Sequence, residues 1–329
     1  MKMFGSKITR RTLLHGASAV TAAAIVSGSN GTAHAQAPLA GRNLLSDKRP
    51  HIHGDGPKLG CYDPYGDFSE ERRIATEHLF LPWEDVELSG LPAADEYALA
   101  RGRKVLVTIE PWSWDLDWNV SSSELLGAIL SGKHDANMKA ICGALATFKS
   151  PVTIRWAQEM ENPSGRFTWS MWSPEDYIEA YRRMYRIAKE VAPAADMMWS
   201  PKGLETAASY YPGDEYVDLI GLSVFGYDEY EKIEYGNTRS FEEDVKIGYE
   251  TTVGFGKPIW IAELGYEGEL SYLEKWVMDV TRNFEQYPSL KEVVYFNDKE
   301  VWPWPHRLGL PDWRVVRQTV NYPVRQRRG

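Results

Sequence analysis

Two glutamates, Glu159 and Glu263, each follow directly on a short apolar run of the chain, Thr153–Ala157 and Pro258–Ala262. A carboxylate at the end of a buried strand is costly to desolvate, so it needs partners or a chemical role. The two positions lie 104 residues apart, which fits two strands of one barrel that face a common pocket. Two carboxylates in one pocket can hydrolyse a glycosidic bond. The alternative for each is a buried ion pair with an arginine.

The elements that would hold these glutamates are eight short apolar runs separated by longer helical patterns. Most runs are continuously apolar, as in parallel strands covered by helices. Eight such β–α units predict a single (β/α)8 TIM barrel, placed at residues 59–329 as the catalytic domain. The predicted strands are Leu59–Tyr62, His78–Leu81, Lys104–Ile109, Val152–Ala157, Met197–Trp199, Leu219–Val224, Ile259–Ala262 and Glu292–Phe296.

The first 37 residues have the pattern of a twin-arginine export signal. Arg10 and Arg11 precede a mildly apolar run at residues 17–26 and small residues around Ala35 and Ala37, the two candidate cleavage points. The run is too short to span a bilayer. The sequence therefore predicts export of the folded protein to the periplasm or the medium. Residues 38–58 are interpreted as a lead-in segment.

Charge and cysteine content narrow the partners that we expect. Without the signal segment the chain keeps 33 basic and 46 acidic side chains, a formal charge of about −13. This charge disfavours nucleic acids and anionic membrane surfaces. Cys61 and Cys142 are interpreted as two buried thiols, with a disulfide as the alternative. We expect no cofactor, no metal site and a monomer.

Three segments together resemble glycoside hydrolase family 26: residues 155–160, 211–227 and 257–265. The likeness runs from about residue 59 to residue 313. It implies a barrel whose acid/base follows the fourth strand and whose nucleophile follows the seventh. Members are mainly endo-β-1,4-mannanases, with some β-1,3-1,4-glucanases and β-1,3-xylanases. By position, Glu159 would be the acid/base and Glu263 the nucleophile. Arg155 would orient a carboxylate and lower its pKa.

The chain departs from the family pattern beside Glu159. Gln158 stands where histidine is usual, and Met160-Glu161-Asn162-Pro163 replaces Met-Asn-Gly. Glutamine can still donate a hydrogen bond to a sugar hydroxyl but cannot carry a charge. These departures leave the substrate open without removing the expectation of hydrolysis.

Other side chains are candidates for sugar binding. Glu110 closes the third strand as either a hydroxyl acceptor or a plain loop residue. A tyrosine that contacts the nucleophile is placed at Tyr227, with Phe225 as the alternative. Tryptophans near strand ends can stack on pyranose rings or simply fill the core; those chosen for binding are Trp112, Trp169, Trp302 and Trp304. Trp156 and Trp260 are out of phase with their glutamates and are predicted to face the helices.

The function that these observations favour is a retaining endo-β-glycanase acting on a β-1,4-linked polysaccharide, β-mannan or β-glucan. Two alternatives stay open. One is a non-catalytic carbohydrate-binding barrel on the same scaffold. The other is a hydrolase that processes an endogenous exopolysaccharide.

Overall fold

The computed structural model describes residues 47–316 except 53–55, 85, 116–117, 163 and 283. The predicted signal segment, residues 1–37, lies outside the described residues, and its role stays a prediction.

Eight parallel strands close into a barrel, which confirms the predicted fold. Their order around the ring is β1-β10-β9-β8-β7-β6-β3-β2. Each predicted strand overlaps one of them: β1 (Lys58–Tyr62), β2 (Ile74–Pro82), β3 (Lys104–Glu110), β6 (Val152–Trp156), β7 (Asp196–Trp199), β8 (Leu219–Tyr227), β9 (Ile259–Glu267) and β10 (Leu290–Phe296). A small antiparallel hairpin, β4 (Trp114–Asp115) and β5 (Trp118–Asn119), lies in the loop after β3.

Helices connect the strands and cover the outside of the barrel. Among the described residues they are α1 (Leu91–Ala100), α2 (Ser122–Leu130), α3 (Asp135–Leu145), α4 (Pro174–Val191), α5 (Asp228–Glu234), α6 (Phe241–Thr252) and α7 (Leu270–Arg282). Short 3-10 turns occur at Leu88–Gly90, Thr168–Met171, Glu205–Tyr210, Asp214–Tyr216, Val253–Phe255 and Pro305–Arg307. Local sequence fixes where α4 begins. The Ser173 hydroxyl accepts a hydrogen bond from the Asp176 amide, and proline occupies the first turn.

The barrel interior and the layer under the helices are separate apolar cores. Trp156 packs against Tyr177 and Tyr181 of α4, which confirms its predicted direction. The prediction for Trp260 is wrong. Its ring lies with side chains of the other barrel strands, and Lys104 lies over it at 4.2 Å.

A β-bulge in β9 explains this error and also directs Glu263. Leu222 of β8 pairs with Ile261, whereas the next residue, Ser223, pairs with Glu263. Ala262 is therefore an extra residue, and the alternation of faces restarts after it. The bulge lets Trp260, Ala262 and Glu263 all point into the barrel. The sequence prediction assumed that side chains alternate regularly between the two faces of the strand, and this assumption fails at a bulge.

The two cysteines and the hydropathy of the helices were also predicted from the sequence. Cys61 and Cys142 are both free and buried, which confirms their interpretation as thiols. Within the described ranges, no helix is long and apolar enough to span a membrane.

Candidate active site

The loop after β6 holds Glu159 in a constrained backbone conformation. Ala157 and Glu159 have φ angles of 49° and 54°, in the left-handed region that non-glycine residues seldom adopt. Neighbouring strands stabilise the loop, because the Ala157 amide donates to the Ile109 carbonyl at 3.3 Å and the Glu159 amide donates to the Ser200 carbonyl at 2.8 Å. Such conformations concentrate at functional sites, where the surrounding structure fixes them.

Arg155 joins several strands to Glu263 at the centre of the mouth. The side chain is fully buried. Its Nη1 donates to Glu263 Oε1 and, at 3.3 Å, to Thr108 Oγ1. Its Nε donates to Ser200 Oγ at 2.7 Å, and its Nη2 donates to Ser223 Oγ at 3.2 Å. A planar guanidinium held from three sides fixes the carboxylate rather than merely attracting it.

Glu263 binds a proton more tightly than an ordinary glutamate. Burial raises its pKa to about 7, the contact with Arg155 opposes that rise, and the charge of Glu159 adds to it. Arg155 therefore lowers the pKa as predicted, but burial outweighs it, so the net direction is opposite to the one expected.

The pKa of Glu159 is shifted in the opposite direction, below that of an ordinary glutamate. Burial acts to raise its pKa, but the charges of Lys202 and Arg166 and hydrogen bonds from Ser223 and Asn162 bring it below the ordinary value. Asn162 Nδ2 donates to Glu159 Oε2 at 3.0 Å. A single proton shared by the two carboxylates therefore rests mainly on Glu263. The two titrations belong to the pair.

Glu110 and Gln158 form a hydrogen-bonded wall beside the glutamates. Gln158 Nε2 donates to Glu110 Oε1 at 2.7 Å, and Trp112 Nε1 donates to Glu110 Oε2 at 3.1 Å. Trp169 Nε1 donates to the Gln158 carbonyl at 2.7 Å. Trp112 is half-buried, but Trp169 is fully buried between Trp112 and Phe167. The Trp169 ring therefore packs in the core of the loop, which is the alternative to sugar binding that the sequence left open. Its indole also holds the backbone of Gln158 in place.

The remaining aromatic candidates lie on the side of β8 and β10. Tyr227 is buried, and its hydroxyl donates to the Leu308 carbonyl at 3.4 Å while its ring packs against Trp304 and Trp313. These contacts tie Tyr227 to the tail of the barrel, and its contact with the nucleophile stays a prediction. Trp302 is 37% exposed and is the candidate whose ring is most open to solvent among the four tryptophans.

Several residues of the site were not selected from the sequence. Tyr62 ends β1, and although burial is the main cause of its raised pKa, the charges of Glu110 and Glu263 contribute. The strand-end rule that selected Glu110 could have found it. Thr108 and Ser223 lie inside strands, where nothing in the sequence distinguishes them. In the part of the chain that the structure describes, no group of three or more His, Cys, Asp or Glu side chains could hold a metal ion.

Comparison with known proteins agrees with this geometry. Residues 133–267 match the sequence model of glycosyl hydrolase family 26. This segment is similar to glycosyl hydrolase family 26. A β-1,3-xylanase of a Vibrio species is 27% identical over 147 residues, and a mannan endo-1,4-β-mannosidase of Bifidobacterium adolescentis is 26% identical over 187 residues. These alignments cover 43% and 51% of this chain, but only 31% and 18% of those proteins.

A solved structure shares the fold. The modular endo-β-1,4-mannanase of Cellulomonas fimi superposes with a TM-score of 0.59 at 17% identity, over 78% of this chain and 70% of that one. The segment that matches the family model contains Arg155, Glu159 and Glu263. Glu110 and the tail after β10 lie outside the matched segment.

Proposed function

We propose that this barrel is a retaining β-glycanase. The observation that carries the proposal is the buried pair Glu159 and Glu263. Glu159 follows β6, Glu263 lies within β9, and the charge of Glu159 raises the pKa of Glu263. Arg155 donates a hydrogen bond to Glu263 and holds it in place. The names of the two relatives, a β-1,3-xylanase and a mannan endo-1,4-β-mannosidase, make β-1,3-xylan and β-mannan the first substrates to test, with β-glucan as a third. Because Gln158 and Glu161 depart from the family pattern beside Glu159, they leave the identity of the substrate sugar undetermined.

The proposed reaction has two displacements. Glu263 attacks the anomeric carbon as Glu159 gives its proton to the departing glycosidic oxygen, so one C–O bond breaks while the glycosyl–Glu263 ester forms. Water then attacks that carbon, Glu159 takes the water proton, and Glu263 is released as a carboxylate. Arg155 contacts Oε1 of Glu263, which leaves Oε2 for attack.

The location of the proton shared by Glu159 and Glu263 determines which protonation state of the pair is active. The reaction needs one proton on the pair, located on Glu159, whereas the pKa shifts of the two carboxylates favour Glu263. The productive arrangement is therefore the less populated one, and a bound sugar must favour it. The value of kcat/KM, which reports on the free enzyme, should be highest at the pH where the pair holds one proton. It should fall above a pH of about 7, the pKa of Glu263.

Paired variants with an added nucleophile test the proposal. Glu159→Ala and Glu263→Ala should each lower turnover of β-glycan by orders of magnitude. With azide and an aryl β-glycoside, Glu159→Ala should form the β-glycosyl azide and Glu263→Ala the α-glycosyl azide. Glu292→Gln is the matched control, because Glu292 is also buried in a barrel strand and paired with Lys104. Near-normal activity of either alanine variant would refute the assignment.

A non-catalytic carbohydrate-binding barrel is the second candidate. It is favoured by the lowered pKa of Glu159, which keeps this residue ionised and unable to protonate a leaving group. Calorimetric binding of oligosaccharides without new reducing ends across the substrate panel would support it against hydrolysis.

A further inference from the structure

An ion pair between Arg166 and Glu300 connects two loops from opposite sides of the barrel. Arg166 Nη1 donates to Glu300 Oε2 at 3.1 Å, and Nη2 lies 3.0 Å from Oε1. Arg166 follows β6 and Glu300 follows β10. In the closed ring these two strands are separated by three strands in either direction. The pair therefore spans the mouth from one side to the other, and we name it the crossbar.

The crossbar is more firmly held than a surface ion pair. Both oxygens of Glu300 face the guanidinium, and Oε1 also accepts hydrogen bonds from the Val301 and Trp302 amides at 2.9 and 3.2 Å. The side chains are 4% and 29% exposed for Glu300 and Arg166. Two parallel charge-assisted bonds in a partly buried setting give a defined geometry, whereas isolated exposed pairs contribute little.

The guanidinium of Arg166 lies near the carboxylates of the site. The positive charge of Arg166 interacts with Glu110, Glu159 and Glu263, in addition to Glu300. Glu110 ends β3, Glu159 follows β6 and Glu263 lies within β9, on different sides of the mouth. Because Coulomb interactions weaken with distance, one cation that acts on all three lies near each of them.

The course of the crossbar separates the catalytic pair from one side of the cleft. Glu159 follows β6, so it lies at one end of a line drawn across the mouth from β6 to β10. Glu263 lies in β9, on the same side of that line as β7 and β8. The side of β1, β2 and β3 lies beyond it. A polysaccharide that runs between the two glutamates and continues to that side must cross the crossbar.

We propose that the crossbar bounds the cleft beside the point of cleavage, so that the enzyme cuts near chain ends rather than inside long chains. The proposal rests on the proposed function and replaces the endo action expected from the sequence. Arg166 and Glu300 are then specificity determinants that limit how many sugar units fit on one side of the scissile bond.

Viscometry on a soluble galactomannan and a mixed-linkage β-glucan tests the crossbar. The loss of viscosity per new reducing end measures how far from chain ends the cuts fall. The wild type should show a small loss and short, uniform products by chromatography. Arg166→Met and Glu300→Gln should each raise the viscosity loss per cut several-fold and spread the product lengths. Arg183→Met is the matched control, since it breaks a two-bond pair with Asp135 on the outer helices.

A separate binding measurement keeps this proposal distinguishable from the proposed function. In Glu159→Gln protein, affinity for a ladder of oligosaccharides should stop rising at a short length, and adding Arg166→Met should let it rise further. A wild type whose viscosity falls as steeply per cut as that of Arg166→Met would overturn the crossbar. So would equal length dependence in the two binding proteins. Neither result depends on which polysaccharide is hydrolysed fastest.

Discussion

Replacing Arg155 by methionine should change both the rate and its pH dependence. Methionine keeps most of the volume but removes the guanidinium that contacts Glu263, whose pKa is about 7 with that contact in place. An adjacent opposite charge lowers a carboxyl pKa by about 1–3, so a value of about two would move Glu263 from about 7 to about 9. The proton would then leave Glu263 for Glu159 about 100-fold less often, a loss of about 2.7 kcal/mol.

The assay is kcat/KM for an aryl β-glycoside as a function of pH. The sign follows from the charge state: the singly protonated pair persists to higher pH when the pKa of Glu263 rises. We therefore expect the alkaline limb of Arg155→Met to move from about 7 to about 9 while the plateau falls about 100-fold. Arg155→Lys keeps the charge but loses the planar fork, so its limb should stay nearer to that of the wild type.

Two results would refute the reasoning. One is an Arg155→Met variant that folds normally by circular dichroism and melting yet keeps its alkaline limb near the wild-type position. The other is identical behaviour of the lysine and methionine variants, which would mean that the charge of Arg155 has no effect on Glu263.

Two further predictions concern the second glutamate and the barrel core. Asn162→Ala removes a donor to Glu159 Oε2 at 3.0 Å, so the pKa of Glu159 should rise and the acidic limb of the pH–rate profile should move up, by about one at most; an unmoved acidic limb would contradict the hydrogen bond's role. Gly221→Ala places a Cβ against the Met198 sulfur inside the barrel and should lower the free energy of unfolding by about 1–3 kcal/mol. Gly127→Ala, in open space on α2, should raise it by about 0.5–1 kcal/mol, and urea unfolding that shows no difference between the two would contradict the packing argument.

The local sequence was sufficient for the architecture and for the two central carboxylates. Continuous apolar runs such as Lys104–Glu110 predict buried parallel strands because both faces of such strands are covered. A glutamate at the end of such a run is conspicuous because its charge must be accommodated there. Position in the chain was thus enough to select Glu159, Glu263 and Glu110, while their chemical roles remain predictions.

Packing roles of aromatic residues were harder to predict. Trp169 and Trp302 both follow strand ends, yet one is fully buried and the other is 37% exposed. The difference depends on neighbours such as Phe167 that the loop brings against Trp169. Sequence spacing carries no information about which ring is covered after the loop folds.

The sequence by itself determined the barrel, its strand order along the chain and the residues at the strand ends, because hydrophobic pattern and strand length are local properties. Only the tertiary structure decided where those residues point and what surrounds them. The bulge that turns Glu263 inward depends on pairing between β8 and β9. The network around Arg155 and the Arg166–Glu300 crossbar depend on closure of the ring, which brings together side chains that are 108 and 134 residues apart. Burial at that closed mouth, rather than any neighbour in sequence, sets the proton affinity of Glu263.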